Sequence, residues 1–243
     1  MAKKYVYFFG SGLAEGNKEM KDLLGGKGAN LAEMASIGLP VPPGFTISTE
    51  VCHLYLSSGE KLPEEVEQEI LANLRRLEEV SGQKFGDPDN PLLVSVRSGA
   101  KFSMPGMMDT ILNLGLNWET VEGLARKTRN RRFSLDCYRR LIHMFGDVVL
   151  GVPKKEFEEI LKAKKEKFGV TYDAELAEAG LEEVIEAYLK LVKEKTGKEF
   201  PQEVMTQLWL AIGAVFKSWN NPRAIEYRRI YHIPENLGTA VNI

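Results

Sequence analysis

The chain has 243 residues, 44% hydrophobic and 27% charged, a composition that excludes intrinsic disorder and suffices for a buried core. Thirty-two Lys and Arg against 34 Asp and Glu leave a net charge of -2, which excludes an overall positive field suited to nucleic acid or an anionic membrane. Cys52 and Cys137 are the only cysteines, both in apolar patterned stretches, so buried free thiols are expected and a metal site built on cysteine is excluded. The apolar run before Gly10 is too short for a signal-peptide core and no later run reaches membrane-span length, so the expected location is the cytoplasm.

In chain order, residues 1–115 mix short apolar runs with Gly and Pro. Tyr5–Phe9, Gly44–Ser48, Leu92–Val96 and Ile111–Gly115 read as strands, and Leu31–Ile37 and Glu64–Val80 as helices. From 116 to 199 strand signals vanish. Leu135, Tyr138, Leu141, Ile142, Phe145 and Val149 form one helical stripe, Phe157, Ile160, Leu161 and Phe168 a second, and Leu181, Val184, Ile185, Tyr188 and Val192 a third. Pro201 opens a further helix that the Asn-Asn-Pro at 220–222 breaks. Thr239–Ile243 reads as a strand with no partner segment following it, so an incomplete ladder is expected there.

Two segments carry chemistry. In Leu23–Leu31, Gly25, Gly26 and Gly28 permit close approach of backbone amides to an anion, the helix start adds positive charge, and Lys27 supplies a mobile cation. It is not a Walker A loop, because Lys21 stands at the position of the leading Gly and Gly28 where Ser or Thr would reach a metal. Read alone, it is a Gly-rich turn capping a helix, with a solvated lysine. In Val94–Thr110, Arg97 ends an apolar strand beside a Ser/Gly loop, where open α/β sheets place ligand groups, and its planar fork suits phosphate oxygens. Ser103–Gly106 reads as a mobile flap, with Met107 and Met108 as core packing or a water shield.

Other charged groups read differently. The run Arg126, Lys127, Arg129, Arg131, Arg132 has no interleaved aromatics and is expected to be a solvated surface, and Arg223, Arg228 and Arg229 form a candidate docking surface. His53, His143 and His232 lack partners for catalysis or metal binding, and no carboxylate pair suits magnesium, Asp109 being the one exception weighed.

Gly25–Met34, Gly38–Thr46, Pro91–Asn113, Phe200–Glu203, Asn221–Ile225 and Gly238–Asn242 together resemble the amino-terminal part of the pyruvate phosphate dikinases. The stretch from Arg97 to Asn113 separates this family from phosphoenolpyruvate synthase and other dikinases, which share chiefly the Gly-Gly-Lys-Gly element. The resemblance implies an α+β fold: the first lobe of an ATP-grasp nucleotide-binding domain from 1–115 and 200–243, carrying an inserted all-helical subdomain at 116–199. It implies ATP and phosphate as ligands, with the β-phosphate of ATP passed to a histidine on a mobile domain of the same parent chain and thence to pyruvate. Lys27 and Arg97 match the family's phosphate-contacting residues, and Gly106 and Met108 its phosphate-covering loop. The acidic ligands for Mg²⁺, a further arginine and the phosphorylated histidine are expected beyond Ile243, so the chain alone is expected to be inactive and its parent oligomeric. The rival readings are a non-catalytic nucleotide-binding or protein-docking module, and the same lobe of phosphoenolpyruvate synthase.

Overall fold

Alternation of apolar and polar residues builds short strands and periodic apolar residues build amphipathic helices. The computed structural model describes residues 3–243. Its elements are β1 (Val6–Gly10), β2 (Leu13–Ala14), α1 (Lys21–Ser36), β3 (Gly44–Ile47), α2 (Thr49–Ser57), α3 (Glu64–Ser81), β4 (Lys84–Phe85), β5 (Pro91–Leu92), β6 (Val94–Gly99) and β7 (Thr110–Leu114). These are followed by α4 (Trp118–Thr128), α5 (Arg131–Val148), α6 (Lys154–Phe168), α7 (Glu178–Thr196), α8 (Val204–Ser218), α9 (Pro222–Ile230) and β8 (Ala240–Asn242). The result is a mixed α+β chain that divides into two compact units.

The first unit comprises residues through Gly82, Val96–Thr110 and Ile212–Ile243. Its strands lie in the order β2-β1-β3-β8-β6, with antiparallel neighbours in register at Phe8 and Phe45, Thr46 and Asn242, and Arg97 and Asn242. The terminal strand β8 therefore sits between β3 and β6 and is paired on both sides, which overturns the expectation of an incomplete ladder. Its partners lie far back in the sequence, where local patterning gives no sign of them. Val6, Phe8, Phe45, Ile47 and Val241 are fully buried. The stripe Val66, Ile70, Leu74, Leu77 of α3 packs against β1 and β3, while α2 packs on α1 and β8. Glu69 of α3 accepts hydrogen bonds from the Tyr5 and Val6 amides at 2.9 and 2.8 Å, satisfying donors at the start of β1.

The second unit comprises Gln83–Ser95 and Ile111–Ala211. Helix α5 packs against α4, α6 and α7, and α6 against α7. Asn117 and Thr120 form a reciprocal capping box at the start of α4, and the Asn130 side chain caps α5 by accepting from the Phe133 amide. Tyr138, Phe145, Phe157, Tyr188 and Phe200 meet edge to face with centroids 4.9–6.2 Å apart. His143 stacks on Phe157 at 5.0 Å, and burial, with Arg139 beside it, holds its pKa below the ordinary histidine value. It thus serves the core. Two assignments to the stripes need amending: Val149 and Ile160 are only half-buried, and Phe168 is 37% exposed with the Lys167 ammonium over its ring.

The basic run is exposed at Arg126, Lys127 and Arg129, as expected of a solvated surface, and half-buried at Arg131 and Arg132. Arg126 donates to the Pro88 carbonyl and the Asp89 carboxylate, Arg131 lies 2.8 Å from Glu122 and 2.7 Å from Glu182, and Arg132 donates to the Leu176 and Asp173 carbonyls. Each cation ties one segment of this unit to another. Cys52 and Cys137 are both buried and unbridged, as their apolar settings predict, and burial pushes the Cys52 thiol up to about 11. Among the described residues no helix is long and apolar enough to cross a membrane.

Candidate functional site

The site is built around a kink in α1. Gly25 has φ +67°, a conformation that L side chains rarely adopt, and a Cβ there would fall 1.4 Å from the Gly99 carbonyl oxygen. Only a glycine allows α1 to touch the end of β6 at this point. The Gly26 amide then donates to the Ala100 carbonyl at 3.0 Å, and Gly28 lies so close to Thr46 and Asn242 that a Cβ would be 2.7 Å from Thr46 Oγ1. The glycines therefore dock the helix onto the sheet, and the helical run from Gly26 begins at the mouth of a cavity.

That cavity encloses about 560 Å³. It is lined by Lys21, Gly26, Lys27 and Asn30 of α1, by Arg97 of β6, and by the segment from Ser98 to Gly106 with Met108 and Thr110. No carboxylate lines it. Lys27 donates to the Ser98 carbonyl at 2.8 Å. Partial desolvation of its ammonium, followed by repulsion from Arg97, holds the Lys27 pKa below the ordinary lysine value. Arg97 faces solvent because β6 alternates: Val96 and Ser98 on either side are buried. Its guanidinium makes no hydrogen bond or ion pair among the described residues, and neither does the Lys21 ammonium. Lys101 is paired with Asp22 and lies over the Phe102 ring at 5.8 Å.

Like charges held together without a counter-ion carry a repulsive cost that a bound anion removes, and preorganised cations lose little entropy on binding it. An arginine fork, the Lys21 and Lys27 ammonium groups with no carboxylate partner, and a helix start in one cavity form a receptor for an anion of several charges.

The residues singled out from the sequence, Lys27, Arg97, Gly106 and Met108, all line this one cavity. Gly106 has φ +74° and open space around it, while Met104 is buried. Lys21 and Lys101 also line the cavity and were not singled out. The signal for Lys101 was its place just after the strand bearing Arg97, and Lys21 lies six residues before Lys27, on the other side of the Gly25 kink. Asp109 is not in the lining: it accepts from Asn221 Nδ2 at 2.9 Å and pairs with Arg223. The arginines near the end of the chain do not form one exposed group, since Arg228 is only 3% exposed, stacked 4.0 Å from the Trp219 ring and donating to the Trp219 carbonyl, and Arg229 pairs with Glu226.

A magnesium ion takes hard oxygen ligands, typically carboxylates, waters and phosphate oxygens. Among the described residues no group of three or more His, Cys, Asp or Glu could hold a metal, and with no carboxylate in the lining this cavity does not fit the ion.

Comparison with known proteins places this site in a family. Residues 21–70 and 58–243 match the family model described as the pyruvate phosphate dikinase AMP/ATP-binding domain. The chain is 54% identical over 241 residues to pyruvate, phosphate dikinase of Clostridium symbiosum, covering 99% of this chain and 27% of that protein. It is 52% identical over 240 residues to the Rhizobium meliloti enzyme, with the same coverage. To the chloroplastic pyruvate, phosphate dikinase 1 of Arabidopsis thaliana it is 56% identical over 243 residues, 100% of this chain and 25% of that protein. The chain thus spans about a quarter of the length of these curated relatives. With the matched residues covering Lys27, Arg97 and the segment between them and Met108, the chain belongs to the pyruvate phosphate dikinase AMP/ATP-binding domain family.

Proposed function

We propose that this chain is the ATP- and phosphate-binding lobe of a pyruvate phosphate dikinase, and that its cation cavity holds the phosphate groups of the nucleotide. The observation that carries this reading is the carboxylate-free cavity that Lys21, Lys27 and Arg97 line together. Lys27 and Arg97 contact phosphate oxygens, and Gly106 and Met108 lie on the loop that covers them. The parent reaction interconverts ATP, phosphate and pyruvate with AMP, pyrophosphate and phosphoenolpyruvate through a phosphohistidine on another domain of the same chain. Phosphoryl transfer of this kind depends mainly on electrostatic stabilisation and positioning, which fixed cations supply. In this reading the strands and flanking helices are the first lobe of an ATP-grasp fold, 1–115 with 200–243, and the helices of 116–199 are an inserted subdomain. Mg²⁺ belongs to the reaction through ligands that this cavity does not contain.

The test is calorimetric titration of the chain with inorganic tripolyphosphate and with ATP, for the wild type and for Lys27→Ala and Arg97→Ala. Charge-assisted hydrogen bonds contribute about 1.5–3 kcal/mol each, so either substitution is expected to weaken polyphosphate binding by about 10- to 100-fold. Unchanged affinity in both variants would remove the cavity from the function.

A further inference from the structure

The segment between β6 and β7 is held at both ends. At its start, the Gly26 amide binds the Ala100 carbonyl at 3.0 Å, and Lys101 pairs with Asp22. At its end, Asp109 accepts from Asn221 Nδ2 at 2.9 Å and from Arg223, while Arg223 Nε also donates to the Met107 carbonyl at 3.1 Å. Between these points the Met107 amide closes a turn onto the Met104 carbonyl at 3.1 Å, Met104 is buried, and Gly106 has φ +74° with open space where a Cβ would lie. Asp109 has a side chain only 14% exposed and pairs with Asn221 and Arg223, at the start of α9, although it follows directly on Met108, which lines the cavity.

Resting on the phosphate-site reading above, we propose that Asp109, Arg223 and Asn221 form an anchor that sets the height of the Phe102–Met108 loop over the cation cavity, which makes Asp109 and Arg223 positioning residues for phosphate binding. A loop closed at both ends samples fewer conformations than one closed at one end, so it loses less on closing over a ligand. Arg223 suits this role because one guanidinium spans both the Asp109 carboxylate and the Met107 carbonyl, which a lysine ammonium cannot do in the same planar geometry. The free rotation at Gly106 lets the cavity-facing part of the loop adjust while the anchor stays closed.

Two readouts test this on the chain itself: hydrogen exchange of peptides covering 102–109, and calorimetric titration with tripolyphosphate. They are applied to wild type, Asp109→Asn, Arg223→Gln and the double variant, with Lys27→Ala as the control for the cavity. We expect each single variant to speed exchange in this segment about 10-fold, leaving peptides of α3 unchanged. Tripolyphosphate affinity should fall about 5-fold, and the double variant should lose less than the sum of the two single ones, since both break the shared Asp109–Arg223 pair. Unaltered exchange and affinity in both single variants, while Lys27→Ala still abolishes binding, would overturn the anchor and leave the phosphate site standing. Faster exchange with unchanged affinity would overturn the positioning role. A wild type that takes up no tripolyphosphate overturns the phosphate-site reading and the positioning role together, and the exchange data then show separately whether the contact holds the loop.

Discussion

Two clusters of positive charge in this chain differ in one respect. Around Arg131 three of the cations are matched: Arg126 with Asp89, Arg131 with Glu122 and Glu182, Arg132 with two backbone carbonyls. Around Lys27 the match is incomplete: Lys101 pairs with Asp22, but Lys21 and Arg97 have no counter-ion among the described residues and no carboxylate lines the cavity they share. In sequence the first cluster is the denser and the second is scattered over some eighty residues. Density of charge along a chain therefore says little about anion binding, and what matters is whether the fold leaves the charges unmatched.

The sharpest way to break the contrast is to disturb the kink that assembles the unmatched cluster. Gly25→Ala places a methyl group 1.4 Å from the Gly99 carbonyl oxygen and asks a left-handed backbone of an alanine. We expect a loss of about 3–5 kcal/mol in stability, read by denaturant unfolding, together with loss of polyphosphate binding. Gly38→Ala is the matched control. It also removes a positive-φ glycine, but one with open space around it, so it should cost about 1 kcal/mol and leave binding intact.

The next contrast exchanges the clusters directly. Lys27→Ala should weaken tripolyphosphate binding about 10- to 100-fold with little loss of stability, because its ammonium is partly desolvated and repelled by Arg97 in the free protein. Its pH dependence follows from the sign of that shift. The ammonium gives up its proton below the ordinary value of 10.5, so anion affinity should begin to fall with rising pH before that value is reached, and Lys27→Ala should flatten the profile. Arg131→Ala should do the reverse, leaving affinity unchanged and lowering stability by about 0.5–1 kcal/mol, since its partners are partly exposed.

Local patterning made part of this legible. The alternation through Val94, Val96 and Ser98 marks β6 and turns Arg97 outward, and the three helical stripes mark α5, α6 and α7. The strand nonetheless runs on to Gly99, past the expected end at Val96, because Arg97 and Ser98 are polar residues held by pairing with β8. Helix α1 begins at Lys21, ten residues before Leu31. Glycines carry poor helix propensity and read as a loop, whereas here a single left-handed glycine lets the helix turn against Gly99 and continue. Short α2 escaped notice because Thr49–Ser57 offers only two turns and too few periodic positions. The partners of β8, the unmatched state of Arg97 and the capture of Asp109 by Arg223 all depend on residues distant in sequence, and no window of neighbours contains them.

The smallest effect concerns a matched charge in the first unit, and it asks whether pairing there supports stability as it does around Arg131. Glu15 accepts from the Phe8 amide at 2.8 Å, lies 2.8 Å from Arg76 and 3.0 Å from Lys4. Burial alone would raise its pKa, but the Phe8 amide, Lys4 and Arg76 together hold the carboxyl below the ordinary value of 4.5. Because the folded value is the lower one, the stabilisation is fully present above 4.5 and is lost as pH falls through the folded value beneath it. Glu15→Gln keeps an acceptor for the Phe8 amide and removes only the charge, so it should cost about 0.5 kcal/mol near neutral pH, with the difference from wild type vanishing in acid. A penalty that persists unchanged at pH values where the wild-type carboxyl is protonated would mean that the loss comes from packing or the amide bond rather than from charge matching. The division between charges that hold the fold and charges left for a ligand would then not extend to this unit.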